Sequence, residues 1–167
     1  MGAVKQKSNR IAQLSLAIPG YRGYSTWKNA CETDTAFSEE LLSRLSDITG
    51  HARRMKRVCN ELACHDLGSL FDEIIKYTER LARIVGDITP QRRAISEVTD
   101  SRKSTEITEL DYRILEKIGN INQSLSMLEL EEATGLVSED IEPIIELLND
   151  LESSVLERAN LIGGRTS

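Results

Sequence analysis

Apolar residues recur along this chain at alternating spacings of three and four, the seam of an amphipathic helix. The first clear stripe is Phe37, Leu41, Leu45, Ile48, Ala52, Met55, Cys59 and Leu62. It predicts a helix over 36–65, with Asp34, Thr35 or Ser38 as candidate caps. Carrying the stripe onward would put Asp66 in the seam, so the phase slips near Gly68 and a tight turn or kink is expected there. A second stripe, Leu67, Leu70, Ile74, Tyr77, Leu81, Ile84 and Ile88, predicts a helix over 67–88 that Pro90 ends. The third is Ile107, Leu110, Ile114, Ile118, Ile121, Leu125 and Leu128, within 106–133. The fourth, over 139–162, is Ile141, Ile145, Leu148, Leu151, Val155, Ala159 and Ile162. Ser138 or Asp140 caps its start, and Gly163-Gly164 is a natural stop.

The predicted class is therefore all-α, an antiparallel four-helix bundle with a connector over 89–105. One competing arrangement keeps a single helix running through residue 88, the slip becoming a stutter in an extended coiled coil. Ahead of the bundle of 35–167 stands a segment of 1–34 with only a weak helical stripe, Val4, Ile11, Leu14 and Ile18. Pro19-Gly20 breaks that stripe and suits a type II turn, because glycine takes positive φ cheaply.

Composition narrows the class further. In 167 residues, 40% are apolar, 29% charged and only 4% aromatic, which favours aliphatic helix packing over a β-sandwich. The chain has no apolar run of about 18 residues to span a membrane. Residues 14–18 are too short and too late for a secretory signal, and the expected location is cytoplasmic. The net charge of −6 is unevenly laid out: residues 1–60 carry +5, 61–105 carry −1 and 106–167 carry −10. Five bases and no acid fall within 1–28, and Arg53, Arg54, Lys56 and Arg57 form a second basic run. Such an arm either docks on the acidic half, of its own chain or a neighbour, or meets an anionic membrane with Tyr21, Tyr24 and Trp27 at the interface.

Candidate chemistry is sparse. Cys31, Cys59 and Cys64 read as reduced thiols, and the C-x4-C-H spacing ending at His65 does not match a zinc site. Asp47 and Glu61 each precede a histidine (His51, His65) by four residues, whereas di-iron bundles need a spacing of three. No phosphate loop, nucleophile–base pair or metal spacing is present, so neither catalytic, cofactor nor metal residues are expected. Residues 108–151 imitate a helix-turn-helix around Gly135. The would-be recognition helix carries Glu139, Asp140, Glu142, Glu146, Asp150 and Glu152, and would repel phosphate, which argues against nucleic acid.

The remaining feature is Ile18-Pro19-Gly20-Tyr21-Arg22-Gly23-Tyr24. It resembles the opening signature of small helix-rich bacterial and archaeal proteins, in which an I-P-G-Y-x-G-Y motif precedes a long charged helix. Lys28 corresponds to a lysine that follows the motif, while Asn29, Ala30 and Cys31 depart from the pattern. Leu148, Leu151, Glu157, Arg158 and Leu161 are loosely similar to that family's last helix. The resemblance implies a helical fold and no activity. Physically, the two tyrosines form either a rigid peg for a partner or a cap folded over the bundle end. The functional expectation is a non-enzymatic interaction or scaffold protein, oligomeric or docking a protein partner. Its contact residues would be Pro19, Gly20, Tyr21, Arg22, Gly23, Tyr24, Trp27, Arg53, Arg54, Lys56 and Arg57. A peripheral membrane protein is the alternative, and a helix-turn-helix regulator the weaker one.

Overall fold

The computed structural model describes residues 2–88, 101–130 and 135–163, and the element order is α1 (Gly2–Ala17), α2 (Trp27–Glu61), α3 (His65–Ile88), α4 (Ser101–Leu130) and α5 (Ser138–Gly163). The protein is all-α, with no strand among the described residues. Most of the expected connector, 89–100, lies outside the described residues, and its remainder is the start of α4. None of the described helices is long and apolar enough to cross a membrane.

Two corrections to the expected boundaries have clear local causes. Helix α2 starts at Trp27 rather than 36: Thr26 Oγ1 accepts the Asn29 N–H at 3.2 Å, the Thr26 carbonyl accepts Ala30 N–H, and nothing in 27–35 breaks a helix. Asp34 and Ser38, considered above as caps, are buried inside the helix. The second correction concerns the long single helix through residue 88, which does not form. Helix α2 stops at Glu61 in a Schellman turn, with Cys64 N–H bonded to the Cys59 carbonyl (2.8 Å) and Ala63 N–H to that of Asn60 (3.2 Å). Ala63 takes the left-handed conformation this turn needs, at φ 59°.

The chain divides into two compact units. Unit 1 draws on 1–42, 85–115 and 154–167; unit 2 on 43–84 and 116–153. In unit 2, Leu45, Ile48, Ala52 and Met55 of α2 are buried, as are Phe71, Ile74 and Leu81 of α3. Later positions of α2 meet earlier positions of α3: Thr49 pairs with Thr78 at 2.9 Å, and Lys56 with Asp72 at 2.7 Å. In the same unit Lys117 of α4 reaches the Asp150 carboxylate of α5 at 3.3 Å.

Two seams are rotated from their predicted faces. On α3 the buried positions are Leu67, Gly68, Phe71, Ile74, Thr78, Leu81 and Val85, while Leu70, Tyr77 and Ile84 are half-buried. Thr78 can occupy a seam because its hydroxyl lies 2.9 Å from the Ile74 carbonyl and meets Thr49. On α5 the buried residues are Ile141, Ile144, Leu148, Leu151, Ser154, Val155, Arg158 and Ile162, so Ile144 and Arg158 stand where Ile145 and Ala159 were expected. The arginine in that series is the centre of the site described next.

Candidate functional site: a buried arginine clamp

All the residues of this site belong to unit 1. Helix α1 ends against Ile18, whose carbonyl accepts the Tyr21 N–H at 3.1 Å across Pro19-Gly20. Gly20 has φ 93°, the conformation required at the third position of a type II turn. The chain is then held on both sides. Ser15 Oγ of α1 lies 2.7 Å from the Tyr21 carbonyl oxygen, and buried Thr33 of α2 accepts the Arg22 N–H (3.0 Å) while donating to the Gly23 carbonyl (3.1 Å). Gly23, at φ 76°, lies so close to Ile11 that an added Cβ would meet its Cδ1 at 2.9 Å.

This path turns both tyrosine rings inward. Tyr21 and Tyr24 donate their hydroxyls to the same oxygen, Asp111 Oδ2 on α4, at 2.8 and 2.6 Å. Arg158 of α5 donates through Nε to the other oxygen, Asp111 Oδ1, at 2.5 Å. Its Nη2 donates to Asp34 Oδ1 of α2 (2.7 Å) and to the Tyr24 hydroxyl oxygen (2.8 Å). The guanidinium lies over the Phe37 ring at 4.4 Å, and Tyr21 meets both Tyr24 and Phe37 edge-on. One arginine thus ties α2, α4, α5 and the Pro-Gly segment together.

Burial and charge act against each other here. Loss of water pushes the Asp111 carboxyl above its ordinary range, opposed by Arg158 and by the hydroxyl and guanidinium hydrogen bonds it accepts. Burial, aided by Asp111, raises Tyr21 well above an ordinary tyrosine. Burial does the same to Tyr24, with Arg158 opposing. For Arg158 burial works against the charge, yet Asp111, Tyr24 and Asp34 outweigh it and hold the guanidinium protonated. Five groups that are costly to bury become tolerable because they satisfy one another.

The cluster is closed off from the surface. Its members are at most 5% exposed, and neither of two surface clefts, one beside Cys64 and one beside Cys31, is lined by any of them. Among the described residues no group of three or more His, Cys, Asp or Glu is placed to hold a metal ion.

The expected contact residues divide sharply. Tyr21 and Tyr24, at 2% and 1% exposure, are shut inside, so the peg with free rings is corrected: their hydroxyls are committed to Asp111. Gly23 is buried with them. Pro19, Gly20, Arg22 and Trp27 are exposed, with Arg22 placed 3.5 Å from Glu32. The second basic run falls in unit 2, on exposed or half-exposed positions. There Arg53 pairs with Glu79 (2.8 Å), Lys56 with Asp72 (2.7 Å), and Arg54 Nη2 lies 2.9 Å from His51 Nδ1. Arg57 is exposed. One base of the N-terminal segment does meet the acidic half: Arg10 pairs with Glu109 (3.2 Å) and stacks on Tyr112 at 3.6 Å.

Asp34, named above only as a cap, Arg158, named only in the resemblance, and Asp111 are the clamp residues that the apolar stripes do not single out, although the stripes carry a signal for them. Asp34 is one step of three before Phe37; Asp111 stands four after Ile107 and three before Ile114; Arg158 stands three after Val155 and four before Ile162. Each charge is in register with an apolar seam, where only a paired charge can be buried.

No family model, curated protein or solved structure matches the chain.

Proposed function

We propose that this chain is a non-enzymatic helical interaction or scaffold protein, acting in the cytoplasm, that self-associates or docks a protein partner. The architecture that goes with this reading is an antiparallel four-helix bundle of α2–α5. It is supported by the tight α2–α3 turn and by the opposed order of the Thr49–Thr78 and Lys56–Asp72 contacts.

The observation that carries the reading is Trp27, 54% exposed on the first turn of α2, directly after the segment that the clamp immobilises. An indole displayed on a pinned backbone loses little freedom on binding, which is how a few aromatic residues come to dominate an interface. Arg22 and Lys28 beside it supply charge, and 106–167 carries the opposite sign. The residues on which the I-P-G-Y-x-G-Y resemblance rests include Tyr21, Tyr24 and Arg158, which meet in the clamp; on this reading the motif exists to hold the display in place.

Light scattering after size exclusion, at low and high salt, tests this on the wild type and Trp27→Ala. A discrete oligomer that Trp27→Ala dissolves without lowering the melting temperature is the expected result. A monomer of the formula mass under all conditions discards self-association, and assembly indifferent to salt removes charge as its cause. The membrane alternative rests on the same Arg22, Trp27 and Lys28. Flotation with anionic vesicles that Trp27→Ala abolishes would favour it over a protein partner.

A further inference from the structure

Helix α2 ends in unit 2 with two cysteines at the positions that a Schellman turn brings together. Cys59 supplies the carbonyl and Cys64 the N–H of the closing hydrogen bond, at 2.8 Å. A contact between the side chains of those two positions frequently accompanies this motif. Their α-carbons stand at either end of a single C=O···H–N link, a span compatible with the separation of about 4.4–6.8 Å that disulfides accept. The surroundings of the two thiols differ. Cys59 is fully buried, and a Cβ added at Gly68 of α3 would stand 4.0 Å from the Cys59 Cβ. Cys64 is part-exposed, borders a surface cleft with His65, Leu67 and Val137, and makes a weak S–H contact of 3.7 Å to the Leu62 carbonyl.

We propose that Cys59 and Cys64 form a reversible intramolecular disulfide across the α2–α3 turn, with Cys64 the thiol that meets the oxidant. This does not depend on the interaction reading above. With a small disulfide such as oxidised glutathione, the Cys64 thiolate attacks one sulfur, and a mixed disulfide forms as one glutathione thiolate leaves. The Cys59 thiolate then attacks the Cys64 sulfur and expels the second. The two protons given up by the cysteines end on the two glutathiones, so two thiols are oxidised and one disulfide is reduced. Burial pushes the Cys59 thiol up, and the neighbouring Cys64 sulfur adds to that shift. A raised thiol holds less thiolate, so the buried Cys59 is the poorer partner for an outside oxidant and the mixed disulfide forms first on Cys64. Closure draws Cys64 out of the cleft, which links the shape of that surface to the redox state.

The experiment treats the full-length native protein with oxidised glutathione, then alkylates free thiols and measures intact mass. Cleavage after Glu61, which lies between the two cysteines, follows. The expected product has lost two hydrogens, remains the same size under non-reducing conditions, and takes alkylating reagent on Cys31 alone of its three cysteines. Its 59-containing and 64-containing peptides stay joined until reduced. Cys64→Ser, a change at a part-exposed position, abolishes both the mass loss and the linkage. A lasting glutathione adduct on Cys64 with Cys59 still alkylatable would overturn the proposal. Disulfides between molecules, or a link that forms only in denaturant, would do so equally.

Discussion

Arg158 and Asp111, 47 positions apart in sequence, meet at 2.5 Å with both side chains closed to water. The carboxylate is divided between two kinds of partner: Oδ1 takes the guanidinium, Oδ2 takes the hydroxyls of Tyr21 and Tyr24. Stability of unit 1 is thereby made to depend on one cation. Arg158→Met keeps most of the volume and removes the charge, leaving Asp34 and Asp111 buried without a counter-ion. Its expected cost is about 3–5 kcal/mol in urea unfolding at neutral pH. A carboxyl whose folded pKa lies above its unfolded value favours folding below the unfolded pKa, and that contribution is lost as pH rises through the folded one. Asp111 is already raised with Arg158 present, so the deficit of Arg158→Met should shrink as pH falls toward the carboxylate range. A deficit independent of pH would mean that packing, rather than stranded charge, sets the cost.

The two tyrosines are not equivalent. Tyr24 donates to Asp111 and accepts from Arg158, whereas Tyr21 donates to Asp111 only. Hydrogen bonds to charged groups are worth more than neutral ones, so Tyr24→Phe should cost about 2–3 kcal/mol and Tyr21→Phe about 1–2. Thermal and urea unfolding of both variants gives the order, and equal losses would contradict the geometry.

Alkali probes the same hydroxyls. Both tyrosines are raised well above 10.0 in the folded state, mainly by burial. Above that pH the unfolded chain sheds protons that the native cluster keeps. The contribution is complete below the unfolded pKa and declines as pH rises toward the folded values. Each retained proton tilts stability downward by about 1.4 kcal/mol per pH unit in that window. Tyrosinate absorbance followed during alkaline titration should therefore show a late component that coincides with loss of helical circular dichroism. In the Tyr21→Phe/Tyr24→Phe double variant that component should vanish.

The stripes made the helical class legible because period-three-and-four burial survives any local error. Every seam residue predicted from Ile107 to Leu128 is buried. What failed was the assumption that a seam is apolar. That assumption moved the α5 face toward Ala159 and hid Arg158, and it set Asp34 outside a helix that contains it. Thr78 was passed over on α3 for the same reason, although its hydroxyl bonds within its own helix. The clamp itself was not legible, because its partners lie on α2, α4, α5 and the Pro-Gly segment, and no single periodicity records which charges meet.

Backbone strain separates two glycines of that segment. Both Gly20 and Gly23 have positive φ, at 93° and 76°. An alanine Cβ at 20 would stand 3.6 Å from Ala36 Cβ, an ordinary contact, while at 23 it would be driven to 2.9 Å from Ile11 Cδ1. Gly20→Ala should cost about 1–2 kcal/mol from the left-handed backbone alone. Gly23→Ala adds overpacking, for roughly 2–4 kcal/mol in all. Trimming Ile11 to Ala in the Gly23→Ala background should lose less than the two single effects added together, which a double-mutant cycle measures.

The opposite change is expected to help at the α2–α3 turn. Ala63 sits at φ 59° in the position of a Schellman motif that glycine usually takes, since a Cβ there crowds the following carbonyl. Ala63→Gly removes that crowding and leaves the two closing hydrogen bonds intact. Glycine's greater freedom in the unfolded chain returns part of the gain, so the net is about 0.5–1 kcal/mol of stabilisation. For a chain of this size that is a rise of roughly 1–4 °C in Tm. The side chain of residue 63 is exposed, so no lost contact competes with the backbone effect. A lower Tm for Ala63→Gly would show that the turn does not hold residue 63 in the left-handed region, and with it would go the alignment of Cys59 and Cys64.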